Sequence, residues 1–560
     1  MSREPGKRYG APAGYREVGK SLILALAVIL TAGQDDPARS AASGFAIPTF
    51  HCLGLYWSPP GGSAEREVTV RYRQEGAPDW KTGLPMRYNP IPDTDEELAD
   101  YRGSVVDLTP GTAYEVQLTL SGTATATTVK ASTWSETFPA GEVVRAADSD
   151  KPLAIKESGT PAAWRVYDGK GVTIDVRHQH DACITIDASF VIVRGFTLKG
   201  AGVAGGTKAI GAIQIRSGRN IVIEECDISG WGRTNAATGF GVDCDSAVLS
   251  RSEGLSRLVV QRCRLHHPAT DSNNWYEPKR PTHPTGPQAI SLFNTAGNHV
   301  LRYNECESDL EHMFNDIIGG GSNGSYKGAP GPDSDVYGNV VSHCWDDGLE
   351  IEGGNRNTRV WGNYITQTMM GIGNAATSIG PLYIWKNVMA RSQWQPGMTG
   401  GNFIKMGYAS SENWMTGHMY VFHNTMFRAD EFQPTGGLGG QRLLKHVVSR
   451  NNILQVSGAK NHCVSNNKTN VDNSYDHDLF NGRIPDGVEA HGMRGEPVYE
   501  AGSGFDPATK TGKFQLAAGS PGVAAGEIIP NFSDGFSGKA PDIGAHFRGA
   551  PPMRFGVQVR

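Results

Sequence analysis

Charge is scarce in this chain: 19% of its 560 residues are Asp, Glu, Lys or Arg, and the formal net charge is −5. No basic stripe is present, which excludes the usual electrostatic footprint of a nucleic-acid partner. The eight cysteines are spaced singly with no CxxC pair, so a zinc module is not expected. No apolar run reaches the roughly 20 residues of a membrane span. Glycine is what the chain has in quantity, at 71 residues. With so little charge, that suits a turn-rich all-β protein. The chain is too long for one ordinary core, so a solenoid with at least one accessory domain is expected.

A repeat organises the sequence. Residues 298–380 read as three rows, each with a short β-branched strand, an Asn (Asn304, Asn339, Asn363), a second strand and a Gly/Asn-rich turn. Asn339 to Asn363 is 24 residues, as is Asn363 to Asn387, and later rows carry Asn424 and Asn452. A fixed period in the twenties, made of strands and turns, marks a solenoid whose coils stack on one another. The leucine frame of leucine-rich repeats is absent. An Asn at one turn of every coil can bond the turn backbone and its own copies in neighbouring coils. These rows resemble the pectate-lyase-like superfamily of right-handed parallel β-helices, over about residues 143–545. The resemblance implies an all-β parallel β-helix acting on a polysaccharide.

Upstream, Lys7, Arg8, Arg16 and Lys20 precede the apolar run from Ser21 to Ala32. That is the pattern of a secretory signal, too short to be a stable transmembrane helix. Residues 1–43 are therefore expected to be signal and linker, and the mature protein secreted or periplasmic, without a membrane span, and monomeric. Residues 44–135 alternate like antiparallel strands, and Leu108–Val116 resembles the Leu-x-Pro-x-Thr-x-Tyr-x-Val turn of fibronectin type III sandwiches. There the Tyr hydroxyl closes a corner onto nearby backbone, and Trp57 and Trp80 are expected in the core of a spacer domain. The β-helix is expected from 136 to 560. Cys226, Cys263 and Cys306 fall near one point of successive coils, which reads as a stack of small buried thiols. The segment ending Pro541–Ala545 is expected to cap the last coil.

Two insertions interrupt the coils. Residues 266–288 carry Trp275, Tyr276, Lys279, Arg280 and His283, and residues 391–401 carry Trp394. Solenoid insertions collect on the binding face, and aromatic rings there suit the apolar face of a sugar.

Alternation along the strands points to the chemistry. If Leu349 and Ile351 face inward, Glu350 and Glu352 face out, and an inward Ile317 leaves Asp316 out. Asp346 and Asp347, Glu311 and His312, and Asp243 and Asp245 precede comparable strands. Like charges stacked on adjacent coils are unfavourable unless protons, cations or substrate relieve them, so this wall is the candidate site. Asn and Gly alignments differ by one residue here, leaving open which acid stacks on which.

Three chemistries fit. Glycoside hydrolysis needs one carboxyl as acid and a second to activate water or attack. Asp346–Ile351 is similar to the paired-Asp strand of polygalacturonase-type hydrolases, and Phe403-Ile404-Lys405 to their Arg-Ile-Lys; Gly371-Ile372-Gly373 stands where they carry Gly-His-Gly. That resemblance makes Asp346 and Asp347 acid and base, with Asp316 and Glu350 assisting and His312 tuning them. Lys405 would hold substrate with the loop residues, Glu311 and Asp245, and no cofactor is required. A polysaccharide lyase or epimerase acting on a uronate polymer would instead use Ca²⁺, held by acids including Glu352 and Asp243. Lys405, His312 or Arg216 would then be the base. An exported carbohydrate-binding β-helix or adhesin is the third class.

Overall fold

The computed structural model describes residues 40–91, 98–277, 283–320, 324–374, 377–392, 401–407, 414, 416–427, 436–440, 444–465 and 472–559. The proposed signal segment, Lys279, Arg280 and Trp394 lie outside them. No helix among the described residues is long and apolar enough to cross a membrane.

From Ala140 onward the chain winds as a parallel β-helix, whose strands among the described residues join in one 31-stranded sheet. Each coil contributes strands to three faces, and a strand pairs in parallel with its successor one coil on. On one face Leu198, Ile228, Leu265, Cys306, Val341, Ile365, Met389 and Met426 stand in register, coil on coil. All eight are buried in the central core. Such apolar ladders drive the stacking, at about 25 cal/mol per Å² of apolar surface buried.

The asparagine ladder forms at the turn between two of the faces. Asn304 Nδ2 donates to Asn339 Oδ1 (3.0 Å), Asn339 to Asn363 (2.9 Å), Asn363 to Asn387 (2.9 Å), Asn387 to Asn424 (3.0 Å) and Asn424 to Asn452 (2.9 Å). Asp478 ends the row, accepting from Asn452 at 2.9 Å. The residue before each rung has positive φ, from Tyr303 and Gly338 through His423 and Asn451 to His477, so one left-handed turn recurs per coil. Cys226 and Cys263 occupy this turn in earlier coils, whereas Cys306 lies within an inward strand ladder. All eight cysteines are free thiols.

The N-terminal strands form two four-stranded antiparallel sheets enclosing a second core. The Tyr114 hydroxyl accepts from the Thr109 N–H at 2.9 Å. Trp57 is buried in that core, but Trp80 is not: it lies half-buried beneath the Arg73 and Arg71 guanidiniums. The sandwich is no free spacer. Tyr337, Trp361 and Trp385 stack outward, one per coil, at 4.1 and 4.7 Å. Cys52, Val106, Ile529 and Phe532 pack with Trp385, Tyr383, Tyr420 and Phe422 on that wall. Across the contact Tyr56 bonds Asp333 (2.7 Å) and Arg102 donates to the Ile379 and Gly380 carbonyls (2.9 Å each).

The C-terminal segment also departs from expectation. Instead of capping the last coil it runs back along the solenoid. Ala545 N–H donates to Thr425 Oγ1 (2.9 Å), Gly556 N–H to the Gly338 carbonyl (2.9 Å) and Arg262 to the Val559 carbonyl (2.7 Å). Its Phe514 and Phe555 cover the outward Val340, Tyr364 and Val388. Those apolar side chains would otherwise face water, which is the physical reason for the strap.

Candidate functional site

The acids gather on the third face. Its inward ladder is Ile290, Ile318, Leu349, Ile372, Ile404 and Leu438, which fixes the register the sequence left open. Ile318 pairs with Leu349, so Asp316 stacks on Asp347, whose backbone N–H donates to Asp316 Oδ1 at 2.9 Å. Glu350 stacks on Gly319 and accepts from the Gly320 N–H at 3.0 Å. An irregularity in strand Val340–Glu350 between Cys344 and Asp347 breaks the alternation. A bulge of this kind re-aims side chains, and it lets the adjacent Asp346 and Asp347 both join the cluster. One oxygen each from Asp316, Asp346 and Asp347 lie within 4.8 Å of one another, as do oxygens of Asp347, Glu350 and Glu352.

Lys405 completes the group from two coils away. Glu350 pairs with Gly373, and Gly373 with Lys405. At about 4.8 Å per coil, the lysine folds back across the intervening position, which is open because Gly373 has no side chain. A Cβ there would stand 2.0 Å from Asp347 Oδ2. Lys405 Nζ lies 2.5 Å from Asp347 Oδ2, 3.4 Å from Glu352 Oε1 and 4.0 Å from Asp346 Oδ1. Burial pulls its pKa down, but Asp347, Asp346 and Glu352 outweigh that and hold it well above the ordinary lysine value.

Among the described residues one amine faces five carboxyls and cannot balance them. Burial pushes Asp346 up to about 7, with Lys405 opposing and Asp347 adding to the rise. Burial, then Glu352 and Asp347, push Glu350 up to about 8. Asp316 is raised well above its usual range by burial and by Glu350, Asp346 and Asp347. The Oδ1 atoms of Asp346 and Asp347 are buried and have no hydrogen-bond partner among the described residues. Orphaned carboxylate oxygens, in an all-oxygen donor set of high negative charge, fit a hard divalent cation of the calcium type.

The first insertion borders the cluster. His283 Nε2 lies 3.2 Å from Asp346 Oδ2, and its Nδ1 faces the Pro284 carbonyl at 2.8 Å. Trp275 meets the His283 ring edge-on at 4.7 Å and packs beside Met313, Trp345 and Met369. Tyr276 is exposed.

Other expected residues are elsewhere or otherwise engaged. Asp245 is buried in a two-pronged pair with Arg233, at 2.9 and 2.7 Å, and supports the fold instead of meeting substrate. Asp243 accepts from Asn315 Nδ2 (3.1 Å) and the Gly286 N–H (3.4 Å), which makes it a support behind the cluster and not one of its members. His312 pairs with Asp309 at 2.9 Å, not with the acids, and Glu311 points to solvent. Arg216 sits four strands up the face, 3.7 Å from Asp187. One residue escaped the sequence reading: Gln288, whose Nε2 donates to Asp316 Oδ2 at 3.1 Å. Gln288 lies two residues before the ladder's Ile290, and only the three-dimensional register identifies it.

No protein-family model matches the chain, and no curated protein matches it. Among solved structures it is similar to pectate lyase Pel9A, at 15% identity and TM-score 0.38 over 75% of this chain and 92% of that one. It is also similar to the catalytic domain of a GH87 α-1,3-glucanase in complex with nigerose, at 9% identity and TM-score 0.22 over 79% of each chain. The site is therefore read from its own geometry.

Proposed function

We propose that this protein is a calcium-dependent polysaccharide lyase acting on a uronate polymer, exported and monomeric, with a fibronectin type III-like domain fixed to its β-helix. The observation that carries the reading is the buried acid cluster beside Lys405, in which Asp346 and Asp347 each keep one oxygen without a hydrogen-bond partner among the described residues. Hydrolysis, the first expectation from the paired aspartates, needs carboxyls that reach the leaving oxygen and a water. Here the carboxyls turn toward one another instead, the arrangement that suits a shared cation.

Asp316, Asp346, Asp347 and Glu350 would hold Ca²⁺, with Glu352 and the Asn315 amide oxygen behind them. Bound there, the ion would neutralise a uronate carboxylate and make its C5 proton more acidic. With the carboxylates that hold Lys405 protonated turned to the ion, its Nζ would be free to lose its proton and would take the C5 proton. The C5–H electrons form the C4–C5 double bond, the C4–O4 bond breaks, and the departing oxygen gains a proton from solvent. Trp275 and His283 beside the cluster, and the exposed Tyr276 of the same insertion, would offer rings to neighbouring sugars.

A hydrolase remains the second reading, supported by Asp346 near 7, a value suited to a general acid at neutral pH. Product chemistry separates the two. Incubation with a panel of uronate polymers is expected to give ultraviolet-absorbing unsaturated ends with calcium and none with EDTA. New reducing ends without that absorbance, insensitive to EDTA, would overturn the lyase reading in favour of hydrolysis.

A further inference from the structure

A second group of metal-binding side chains lies on a different face, beyond Lys405 in coil order. Asp476 ends strand Ser474–Asp476, His477 follows in the left-handed turn, and His491 reaches back from just before strand Met493–Arg494. Asp476 organises the trio. Its Oδ1 accepts from the backbone N–H groups of His477 (3.0 Å) and His491 (2.7 Å), and its Oδ2 lies 2.7 Å from His491 Nδ1. The two imidazoles lie parallel, 5.0 Å apart at 13°.

One donor atom from each of the three residues lies within 4.8 Å of the others. Zinc–nitrogen bonds of about 2.0–2.1 Å put two ligand atoms at most about 4.2 Å apart, so closure needs only side-chain adjustment. We propose that Asp476, His477 and His491 form a site for a divalent cation of the zinc class, separate from the acid cluster. The donor set decides the class: two imidazoles with one carboxylate suit Zn²⁺ or its transition-metal neighbours, whereas calcium prefers oxygen alone. Glu527 Oε2 is 4.0 Å from His477 Nε2, but Arg450 engages it at 2.8 Å. The fourth position therefore goes to water. His491 is 68% exposed, which leaves the ion an open approach. A cation here would tie the turn after strand Ser474–Asp476 to the next coil's entry, clasping the end of the solenoid.

The test is a calorimetric Zn²⁺ titration with excess calcium present, so that the acid cluster does not compete. Wild-type protein should bind one Zn²⁺ at a site that His491→Ala and His477→Ala each weaken by about ten-fold or more. Zn²⁺ should raise the wild-type melting temperature and not that of the variants. His267→Ala controls for the other exposed histidine cluster, which pairs with Asp227 and Asp309, and should bind as wild type does. His491 is too exposed for its loss to unfold the protein, so that variant decides even if His477→Ala does not fold. Lyase activity of His491→Ala should be unchanged, because the proposed site stands apart from the acid cluster. No Zn²⁺ uptake by the wild type, or uptake unchanged in His491→Ala, overturns the proposal.

Discussion

Replacing Lys405 with Met separates the electrostatic role of the amine from its chemical one. The Lys405 side chain is 15% exposed and its Nζ lies 2.5 Å from Asp347 and 3.4 Å from Glu352, whose side chains are 1% and 0% exposed. Removing one partner of a buried ion pair costs about 3–5 kcal/mol. Part of that returns as protons, because Asp346 and Glu350 titrate near 7 and 8. Both values lie above the roughly 3.9 and 4.3 of unfolded Asp and Glu. The folded state therefore holds more protons than the unfolded state between about pH 4 and 8, and stability falls as pH rises through that window. Lys405 lowers both values, so its loss raises them further. Chemical denaturation in EDTA should show a small deficit near pH 5 and the full few kcal/mol near pH 8. Calcium, by replacing the lost positive charge, should restore stability. It should not restore catalysis, since loss of a general base costs about 10²–10⁴-fold. A variant that keeps wild-type turnover with calcium would refute Lys405 as base. A deficit indifferent to both pH and calcium would refute the electrostatic account of the cluster.

Gly373→Ala tests the open position: its Cβ would meet Asp347 Oδ2 at 2.0 Å, so calcium affinity measured calorimetrically should fall about 10–100-fold. Asn363→Ala removes a rung that donates to the Val336 carbonyl and Asn387 and accepts from Asn339. At about 1–3 kcal/mol per orphaned buried group, thermal unfolding should show a loss of several kcal/mol, and a melting point within a degree of wild type would contradict the ladder's role. His299 is fully buried, accepts from the Leu258 N–H, and is pushed down to about 3 by burial. Because the unfolded imidazole takes its proton near 6.5, stability should drop as pH falls from about 6.5 toward 3. His299→Gln should flatten that acid limb in pH-dependent denaturation curves.

The fold was legible because its repeat is chemical as well as periodic. Asn339, Asn363 and Asn387, 24 residues apart between β-branched strands, have few readings other than a stacked turn, and the ladder from Asn304 to Asn452 forms as expected. Glu350 was legible on the outer wall because Leu349 and Ile351 face inward, and Asp346 and Asp347 by lying just before that strand; Asp316 was reached through an inward Ile317, whereas the ladder carries Ile318. Their stacking was not legible, because strict alternation cannot seat two adjacent aspartates in one cluster; that takes the irregularity after Cys344. Asp245 and His312 misled for the opposite reason: Arg233 and Asp309, only 12 and 3 residues away, engage them locally. One signal went unused. Tyr337, Trp361 and Trp385 recur at the same 24-residue interval as the asparagines but face outward. A row of aromatics on an outer wall calls for a cover, which the sandwich and the C-terminal strap supply.

A crystal structure with Ca²⁺ and a short uronate oligomer bound tests the central claim most directly. The account predicts the ion among the carboxylates of Asp316, Asp346, Asp347 and Glu350, with Lys405 Nζ facing C5 of the sugar. Calcium bound elsewhere, or a sugar seated away from Lys405, would contradict it.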